Sequence, residues 1–555
     1  MSDKKYDAIV VGSGAAGGFA AKELTERGLE VLVLEAGPWV KEEDFAPLPP
    51  GAPRVKRIDS WARVRAALEG QYNQARAVFF SDRFKHLFVN DRRNPYTTPP
   101  GEYYLWVRGR QIGGRLHTYG RVVQRMSDYD FKVGNRDGLS DNWPISYQDI
   151  APYYDRVEEF LGVYGTVENI PNLPDGKYIA APKLTRLEQA FKAKIESTWP
   201  ERKVIPWRQV SPNLKRVPWG ILDAQKTGRL EVRADAVASK IDIDPDTGRA
   251  IGVTYVDREA ERVHSVSANI VVLCASTIES VRLMLNSACS KHPEGLGNSA
   301  GLLGRYFMDQ APSLVFGNVP DSPGFESDDS VPQDPFYGPS GGVLIPRFEN
   351  LDRKTNPNFA RGFAFQGQVG RGAVPDGQPA VFGFMGFGET LPYRDNRITL
   401  DPRKKDAWGI PSAHIKCALT RNEHELMREQ VRSMKEMVTR CGFKINFAGN
   451  TLGLDNPKEV MRDASLFNRM MFRLSFRRSM AMGAAIHECG GARMGDDPGK
   501  SVLNPYNQCW DVKNLFVTDG SCFVSNGTVG PTLTIMALTI RACEYIAREY
   551  QRENL

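Results

Sequence analysis

The chain has no run approaching the roughly 20 apolar residues needed to span a bilayer, so it is not expected to be an integral membrane protein. It also lacks any basic block resembling a nucleic-acid footprint. Lys plus Arg number 72 against 66 for Asp plus Glu, and a net charge of +6 over 555 residues is mild. Nucleic acid is not an expected partner. Cysteine is sparse: Cys274, Cys289, Cys417, Cys441, Cys489, Cys509, Cys522 and Cys543 are scattered, with no C-x-x-C pair. Zinc and iron–sulfur sites need convergent thiolates, so no metal centre is expected. The cysteines read as buried small hydrophobes in a reducing compartment. A strand-like apolar run begins at Tyr6, so no signal peptide is expected either. The chain is expected to fold in the cytoplasm; export on a partner's signal would leave no trace in it.

What is present is ordinary for a globular protein. Hydrophobic residues make up 41% and charged residues 25%, which argues against disorder, collagen or a disulfide miniprotein. The length points to two or three domains.

The amino terminus carries the strongest local signal. Asp7-Ala-Ile-Val-Val-Gly12 is an apolar, β-branched run that reads as a buried parallel strand. It enters Gly12-Ser-Gly14-Ala15-Ala16-Gly17, followed by a helical stretch from Phe19 to Arg27. A second apolar run, Leu29 to Leu34, ends at Glu35, 23 positions after Gly12. Each part answers a physical need. Gly12 permits the tight turn, Gly14 lets the backbone approach a pyrophosphate, and Gly17 lets helix and strand pack closely. The helix N-terminus faces phosphate charge, and Glu35 can accept ribose hydroxyls. In this context the glycines read as a dinucleotide-binding unit; the bland alternative is a glycine turn in an ordinary α/β unit.

Near the other end, Asn514-Leu-Phe-Val-Thr-Asp519-Gly520 reads as a strand ending in Asp-Gly, and Pro531-Thr532 opens a long helix. A second helix N-terminus is thus offered to a ligand, far along the chain from the first. A cofactor gripped by both ends of a chain is typical of flavin enzymes.

Four blocks together resemble the glucose–methanol–choline (GMC) family of FAD-dependent alcohol oxidoreductases. The first is the amino-terminal fingerprint with Glu35-Ala36-Gly37. The second, Arg108-Gly109-Arg110-Gln111-Ile112-Gly113-Gly114, matches the family's flavin-contacting loop. The third runs from Ile270 to Ser280 and on to Gly304-Arg305-Tyr-Phe-Met-Asp309. The fourth runs from Ile486-His487 through Asp519-Gly520 to the last helix. The resemblance implies a Rossmann-like α/β FAD-binding domain of the p-hydroxybenzoate-hydroxylase type, built from residues 1–40, 100–160, 225–310 and 480–555. It implies an α+β substrate domain, an antiparallel sheet backed by helices, from 160–225 and 310–480. The stretches 41–100 and 320–340, rich in Pro, Gly and charge, are expected as surface loops or a lid over the active site, or as plain excursions. By the same resemblance FAD contacts fall on Gly12, Gly14, Ala15, Ala16, Gly17, Glu35, Ala36, Arg110, Gly113, Gly114, His117, Thr118, Val237, Asp519, Gly520, Gly530, Pro531 and Thr532.

Alcohol oxidation at a flavin needs a hydride acceptor, N5, and a group to take the hydroxyl proton. Histidine suits the second task, with an unperturbed pKa of about 6.5. By resemblance His487 is the family's active-site histidine. The family usually places a second His or Asn just before the last helix, where this chain has Gly530. Three readings stay open. Asn526 on the same loop takes the role, or His487 works alone with a water or a substrate group, or the site is impaired or altered in its reaction. In relatives that attach FAD covalently the linking histidine would fall at Thr118, with His117 one place earlier. Non-covalent FAD is therefore expected, with His117 as the only attachment candidate. An internal iron–sulfur cluster of the kind some family members carry is excluded, since Ser197 to Ile221 holds no cysteine.

The block from Ile486 to Asn507 is most similar to bacterial sugar and polyol dehydrogenases of the family. The implied activity is oxidation of a CH–OH group of a sugar, glycoside or polyol by hydride transfer to flavin N5. A dehydrogenase is favoured over a peroxide-forming glycoside or pyranose oxidase; a hydroxynitrile lyase and a structural-flavin protein are minor alternatives. The implied partners are a small-molecule alcohol or sugar, a small partner subunit and a cytochrome acceptor.

Overall fold

The computed structural model describes residues 5–46, 60–320, 322, 333–352, 354–372, 374, 377–457, 460 and 465–555. The chain begins with β1 (Tyr6–Val11), α1 (Ala15–Glu26) and β2 (Val31–Leu34). Helix α1 starts at Ala15 and not at Phe19, so Gly17 lies inside it. A Cβ on Gly17 would come 1.9 Å from the Gly12 carbonyl oxygen, which is the close approach that the glycine permits. Then follow α2 (Ser60–Leu68), α3 (Tyr147–Leu161), α4 (Arg186–Thr198), β3 (Ile205–Pro206) and α5 (Trp219–Gln225). Strands β4 (Leu230–Arg233), β5 (Ala236–Ile243), β6 (Ala250–Asp257) and β7 (Val263–Leu273) lead into α6 (Thr277–Asn286).

These elements, with a late strand described below, build the first sheet, in the order β4–β2–β1–β7–β6–β5. Strand β7 has two halves. Its first residues pair antiparallel with β6 and are largely exposed, whereas Ala268 to Leu273 pair parallel with β1 and are almost wholly buried. A strand covered on both faces needs an unbroken apolar run, which Ile270-Val-Val-Leu273 supplies. Helix α5 packs on α1 through two glycines: a Cβ on Gly220 would meet the Gly18 backbone at 2.4 Å. So the end of the stretch 160–225 lies against the first sheet's helices.

The second half of the chain contributes β8 (Ala311–Asn318), β9 (Val343–Ile345), β10 (Phe363–Val369), β11 (Val381–Gly388), and the hairpin β12 (Arg397–Lys405) and β13 (Pro411–Lys416). After these come α7 (Arg421–Arg440), β14 (Lys444–Asn450), β15 (Gly453–Asp455), α8 (Leu466–Ser479), β16 (Leu515–Val517) and α9 (Thr532–Gln551). Strand β16 returns to the first sheet, parallel to the buried half of β7. The second sheet is antiparallel, in the order β15–β14–β8–β11–β10–β9–β3. Its strands alternate. Val315, Phe382 and Phe384 pack with Leu426 and Met434 of α7 and Phe191 of α4, while Leu314, Phe316, Met385 and Phe387 point the other way, into a cavity. The fold is thus a Rossmann-like α/β unit joined to an antiparallel sheet backed by helices.

The described residues of 41–100 are more than an open loop. They contain α2, and Phe45, Phe80, Phe84 and Phe88 form an apolar cluster against which Phe336 packs. Val78, Phe79, Phe336 and Tyr337 reach the cavity wall. Both stretches expected as a lid therefore contribute described residues to its cover. The hairpin β12–β13 is clamped to α6 by Arg282, which meets Asp406 at 2.7 Å and donates to the Pro411 carbonyl.

Candidate active site

The two sheets enclose a cavity of about 670 Å³. The carboxyl ends of β1, β2, β7 and β16 open into it at Gly12, Glu35, Cys274 and Asp519, the edge where open α/β sheets offer ligand sites. Three helices, α1, α6 and α9, begin on the same wall, after Gly14, Ser276 and Pro531, and none has a side-chain cap. Their first-turn amides have no intrahelical partner and carry partial positive charge, so together they suit an anionic ligand. Gly14 and Gly114 face each other closely: a Cβ on Gly114 would lie 3.1 Å from Gly14 Cα. Both expose bare backbone to the cavity.

Charged side chains complete this cradle. Ser13 donates to Glu35 Oε2 from its amide at 3.0 Å and from its hydroxyl at 2.6 Å, and accepts from the Gly113 amide at 3.0 Å. Burial raises the Glu35 carboxyl above its ordinary range, against the lowering effect of these bonds. Glu279 is buried too, but Arg282, Arg110 and Arg108 outweigh the burial and hold it ionised. Asp519 accepts from Ser280 at 2.5 Å and from Ser521, and burial raises its pKa. Four polar atoms on cavity-lining residues are buried without a protein partner: Arg108 Nε, Arg110 Nη1, Tyr119 OH and Asn286 Nδ2. Bare glycine backbone, uncapped helix starts, buried carboxylates and orphaned donors fit a dinucleotide cofactor of FAD's kind.

At the end of the cavity bordered by the second sheet stands His487. It follows Ile486, a β-branched residue at φ 60°, a strained conformation that costs on the order of 1–3 kcal/mol. Its ring stacks on Phe387 with centroids 5.3 Å apart. The Nδ1 atom lies 2.6 Å from Gln310 Oε1, and Gln310 Nε2 donates to the carbonyls of Gly527 at 3.0 Å and Val529 at 2.9 Å. Those carbonyls fix the amide: its nitrogen faces them, so its oxygen must face the histidine. An amide oxygen can only accept, so Nδ1 carries the proton and Nε2 keeps its lone pair. The site a Cβ would take on Gly530 is 3.5 Å from Nε2, ordinary contact distance with nothing closer. Burial, with the charge of Arg115 behind it, pushes the His487 pKa down to about 3, so the ring is neutral near neutral pH.

Behind the ring lies a carboxylate pair. Asp309 accepts from Tyr104 OH at 2.8 Å, the Gln310 amide at 2.7 Å and the His487 amide at 3.2 Å. Burial and the nearby Glu488 charge raise its pKa. Glu488 is paired with Arg115 at 2.9 Å, and Arg115 also donates to Ser276. These bonds anchor both sides of the His487 segment.

Most residues named from the sequence meet here. His487, Gly12, Gly14, Ala15, Ala16, Glu35, Ala36, Arg110, Gly114, Thr118, Val237, Asp519, Gly520, Gly530, Pro531 and Thr532 all line the one cavity. Just behind the wall, Gly17 lets α1 pack against the Gly12 turn and Gly113 donates to Ser13. Asn526 and His117 are not among the lining residues. The Asn526 side chain donates to Thr390 at 3.2 Å, and only its backbone carbonyl turns toward Gln310. His117 directs its ring nitrogens at the carbonyls of Arg216, 3.1 Å away, and Ile112, 2.8 Å away, and stacks on Phe45. Gln310, Ser13, Arg115 and Glu488 went unassigned in the sequence. A polar Asp309-Gln310 pair at the mouth of an apolar strand was the one local hint.

The amino-acid sequence matches the models "GMC oxidoreductase" over residues 6–310 and, for the C-terminal part, over residues 392–539. It is 29% identical to a 2-methyl-1,2-propanediol dehydrogenase of Mycolicibacterium austroafricanum, over 99% of this chain and 96% of that protein. Identity is 25% both to a gluconate 2-dehydrogenase flavoprotein of Pantoea cypripedii, with 99% and 94% covered, and to a C-glycoside 3-oxidase of Arthrobacter globiformis, with 99% and 97% covered. The crystal structure of a pyridoxine 4-oxidase from Mesorbium loti shares the fold, with a TM-score of 0.62 at 16% identity over 98% of this chain and 99% of that one. With matched segments that take in both the cradle and His487, the chain belongs to the GMC oxidoreductase family, which binds FAD.

Proposed function

We propose that this enzyme oxidises a CH–OH group of a sugar, glycoside or other polyol, with His487 as the base. The observation that carries the reading is the fixed tautomer: Gln310 holds Nδ1 protonated and leaves Nε2 free to accept. FAD, held by the glycine turns, Glu35 and the starts of α1, α6 and α9, supplies the hydride acceptor. The substrate hydroxyl donates a hydrogen bond to Nε2. As the hydroxyl carbon is oxidised the imidazole takes the proton, and the Nδ1–H bond to Gln310 stabilises the cation that forms.

Gly530 supports the reading in which His487 works without a second side chain on that loop. Asn526 points to Thr390, and the space beside Nε2 is left for substrate. The wall from the second sheet is mostly apolar, with one amide, Gln366, among Leu314, Phe316, Met385 and Phe387. It suits a substrate that presents a C–H face beside its hydroxyl, as a pyranose ring or a branched diol does. The relative named for 2-methyl-1,2-propanediol is consistent with the second.

In this proposal FAD is bound without a covalent link, because the His117 ring is occupied by two carbonyls and a phenyl face. Residues of the first sheet form the FAD domain and those of the second the substrate domain. Electrons leave to a partner subunit and a cytochrome; the fructose dehydrogenase of Gluconobacter japonicus, a relative by sequence, is named as a large subunit. An oxidase is the second reading, supported by the relatives named glycoside oxidases. Parallel assays of dye reduction under argon and peroxide release under air, over one panel of sugars, glycosides and diols, test this. Dye reduction without peroxide supports the dehydrogenase. Peroxide at a matching rate assigns the oxidase, and neither signal with any alcohol refutes both.

A further inference from the structure

Eight of the 19 exposed large apolar side chains among the described residues fall on two helices. On α8, Leu466 is 82% exposed and Phe467 65%, and Met470, Met471 and Leu474 are close to half exposed. At 100° per residue these five share one side of the helix. The opposite side carries the anchor, Phe472 and Phe476, which pack edge-on against Phe447 with centroids 5.9 and 6.2 Å away. The second stretch is α2, where Trp61, Val64 and Leu68 stand outward at i, i+3 and i+7. Both helices pack on the turn Gln74–Arg76, which brings them to the same part of the surface. Two residues beyond that turn, Val78 is exposed and also lines the cavity. The patch therefore borders the cavity on the side of α2.

The charge on α8 is one-sided. It carries Arg469, Arg473, Arg477 and Arg478 and no acidic residue. Two-fold pairing of this helix with a second copy would set arginine against arginine with nothing on it to neutralise them. An outward apolar stripe ending in exposed arginines has instead the pattern of a helix lying in a membrane interface, apolar side down among acyl chains and cations among anionic headgroups. No helix among the described residues is long and apolar enough to cross a bilayer, so the contact would be with the surface alone.

We propose that the patch formed by α8 and α2 seats the enzyme on an anionic lipid surface, with the cavity opening beside the headgroups. The proposal goes beyond the catalytic reading and does not depend on it. The FAD-loaded enzyme is spun with sucrose-loaded vesicles of phosphatidylcholine, with and without phosphatidylglycerol. Binding is expected to favour the anionic vesicles by about tenfold or more and to weaken at about 0.5 M salt. Phe467→Asp with Leu474→Asp is expected to lower that binding about tenfold or more while keeping flavin content and dye-linked turnover. If that pair fails to fold, Arg477→Gln with Arg478→Gln is expected to erase the preference for anionic lipid. No sedimentation with anionic vesicles, or binding unchanged in both variants, overturns the proposal. It also falls if the enzyme binds no vesicle and is a dimer by analytical ultracentrifugation that the double aspartate variant splits; a second copy then covers the patch. A purified partner subunit that binds the wild type and not that variant, again without lipid binding, gives the patch to the subunit.

Discussion

The chemistry turns on which nitrogen of His487 bears the proton. That is decided not by the histidine but by two carbonyls on the loop before α9, acting through Gln310. His487→Asn should therefore lower turnover by about 10²–10⁴-fold while FAD stays bound, since the ring lies outside the glycine cradle. Gln310→Leu should cost about tenfold or more, because the tautomer is no longer imposed; full retention of activity would contradict the role given to Gln310. Burial and Arg115 hold the folded pKa of His487 near 3, so this group should impose no acid limb on kcat/KM between roughly pH 5 and 8. An inflection near about 6.5 that His487→Asn removes would refute the assignment. Stability carries a matching sign. Between about pH 6.5 and 3 the unfolded histidine binds a proton that the folded one does not. The wild type should lose more stability than His487→Asn when denaturant melts at pH 7 and pH 4 are compared.

At the scale of elements, tight glycine contacts join strand to helix. A Cβ on Gly17 would overlap the Gly12 carbonyl, and one on Gly12 would lie 2.5 Å from the carbonyl of Cys274, just past β7. Gly17→Ala should thus push α1 off β1, cost on the order of 1–3 kcal/mol and release FAD, read by flavin absorbance after gel filtration. Gly530→Ala is the contrasting case, since its Cβ meets only ordinary contacts near His487; it should fold and keep FAD, with its effect confined to substrate kinetics. The first unit was legible from sequence because strand, glycine turn and helix are consecutive and each glycine has a local steric reason. In Val381–Gly388 small and large residues alternate, the pattern of a strand with one face in the core. The cradle as a whole was legible only through the resemblance, because its third helix start, at Thr532, arrives from the far end of the chain. Orientation was not legible. Asn526 turns to Thr390, and Gln310 takes its direction from carbonyls 217 and 219 positions away; neither relation exists before the two sheets are packed together. The packing of the described part of 41–100 was not legible for a related reason, since it rests on aromatic contacts with Phe336, more than 230 positions on from Phe84 and Phe88, that composition does not announce.

At the scale of the molecule, the cofactor cradle ties the two ends of the chain together through β1, β7 and β16. A ligand that binds only the folded state at a thousand times its Kd adds about 4 kcal/mol. Flavin-free protein should therefore melt several degrees lower than the FAD-loaded enzyme by calorimetry, and added FAD should restore the difference. Identical melting with and without FAD would mean that the cavity does not hold it. Alcohol oxidation in this cavity, with His487 as base, can be read from an anaerobic absorbance titration of the yellow enzyme. Sugars, glycosides and diols are added in turn to the wild type and to His487→Asn. One class is expected to bleach the flavin band of the wild type and to do so at least about 100-fold more slowly in the variant. A flavin that dithionite reduces but no alcohol bleaches, or a variant that bleaches at the wild-type rate, would contradict it.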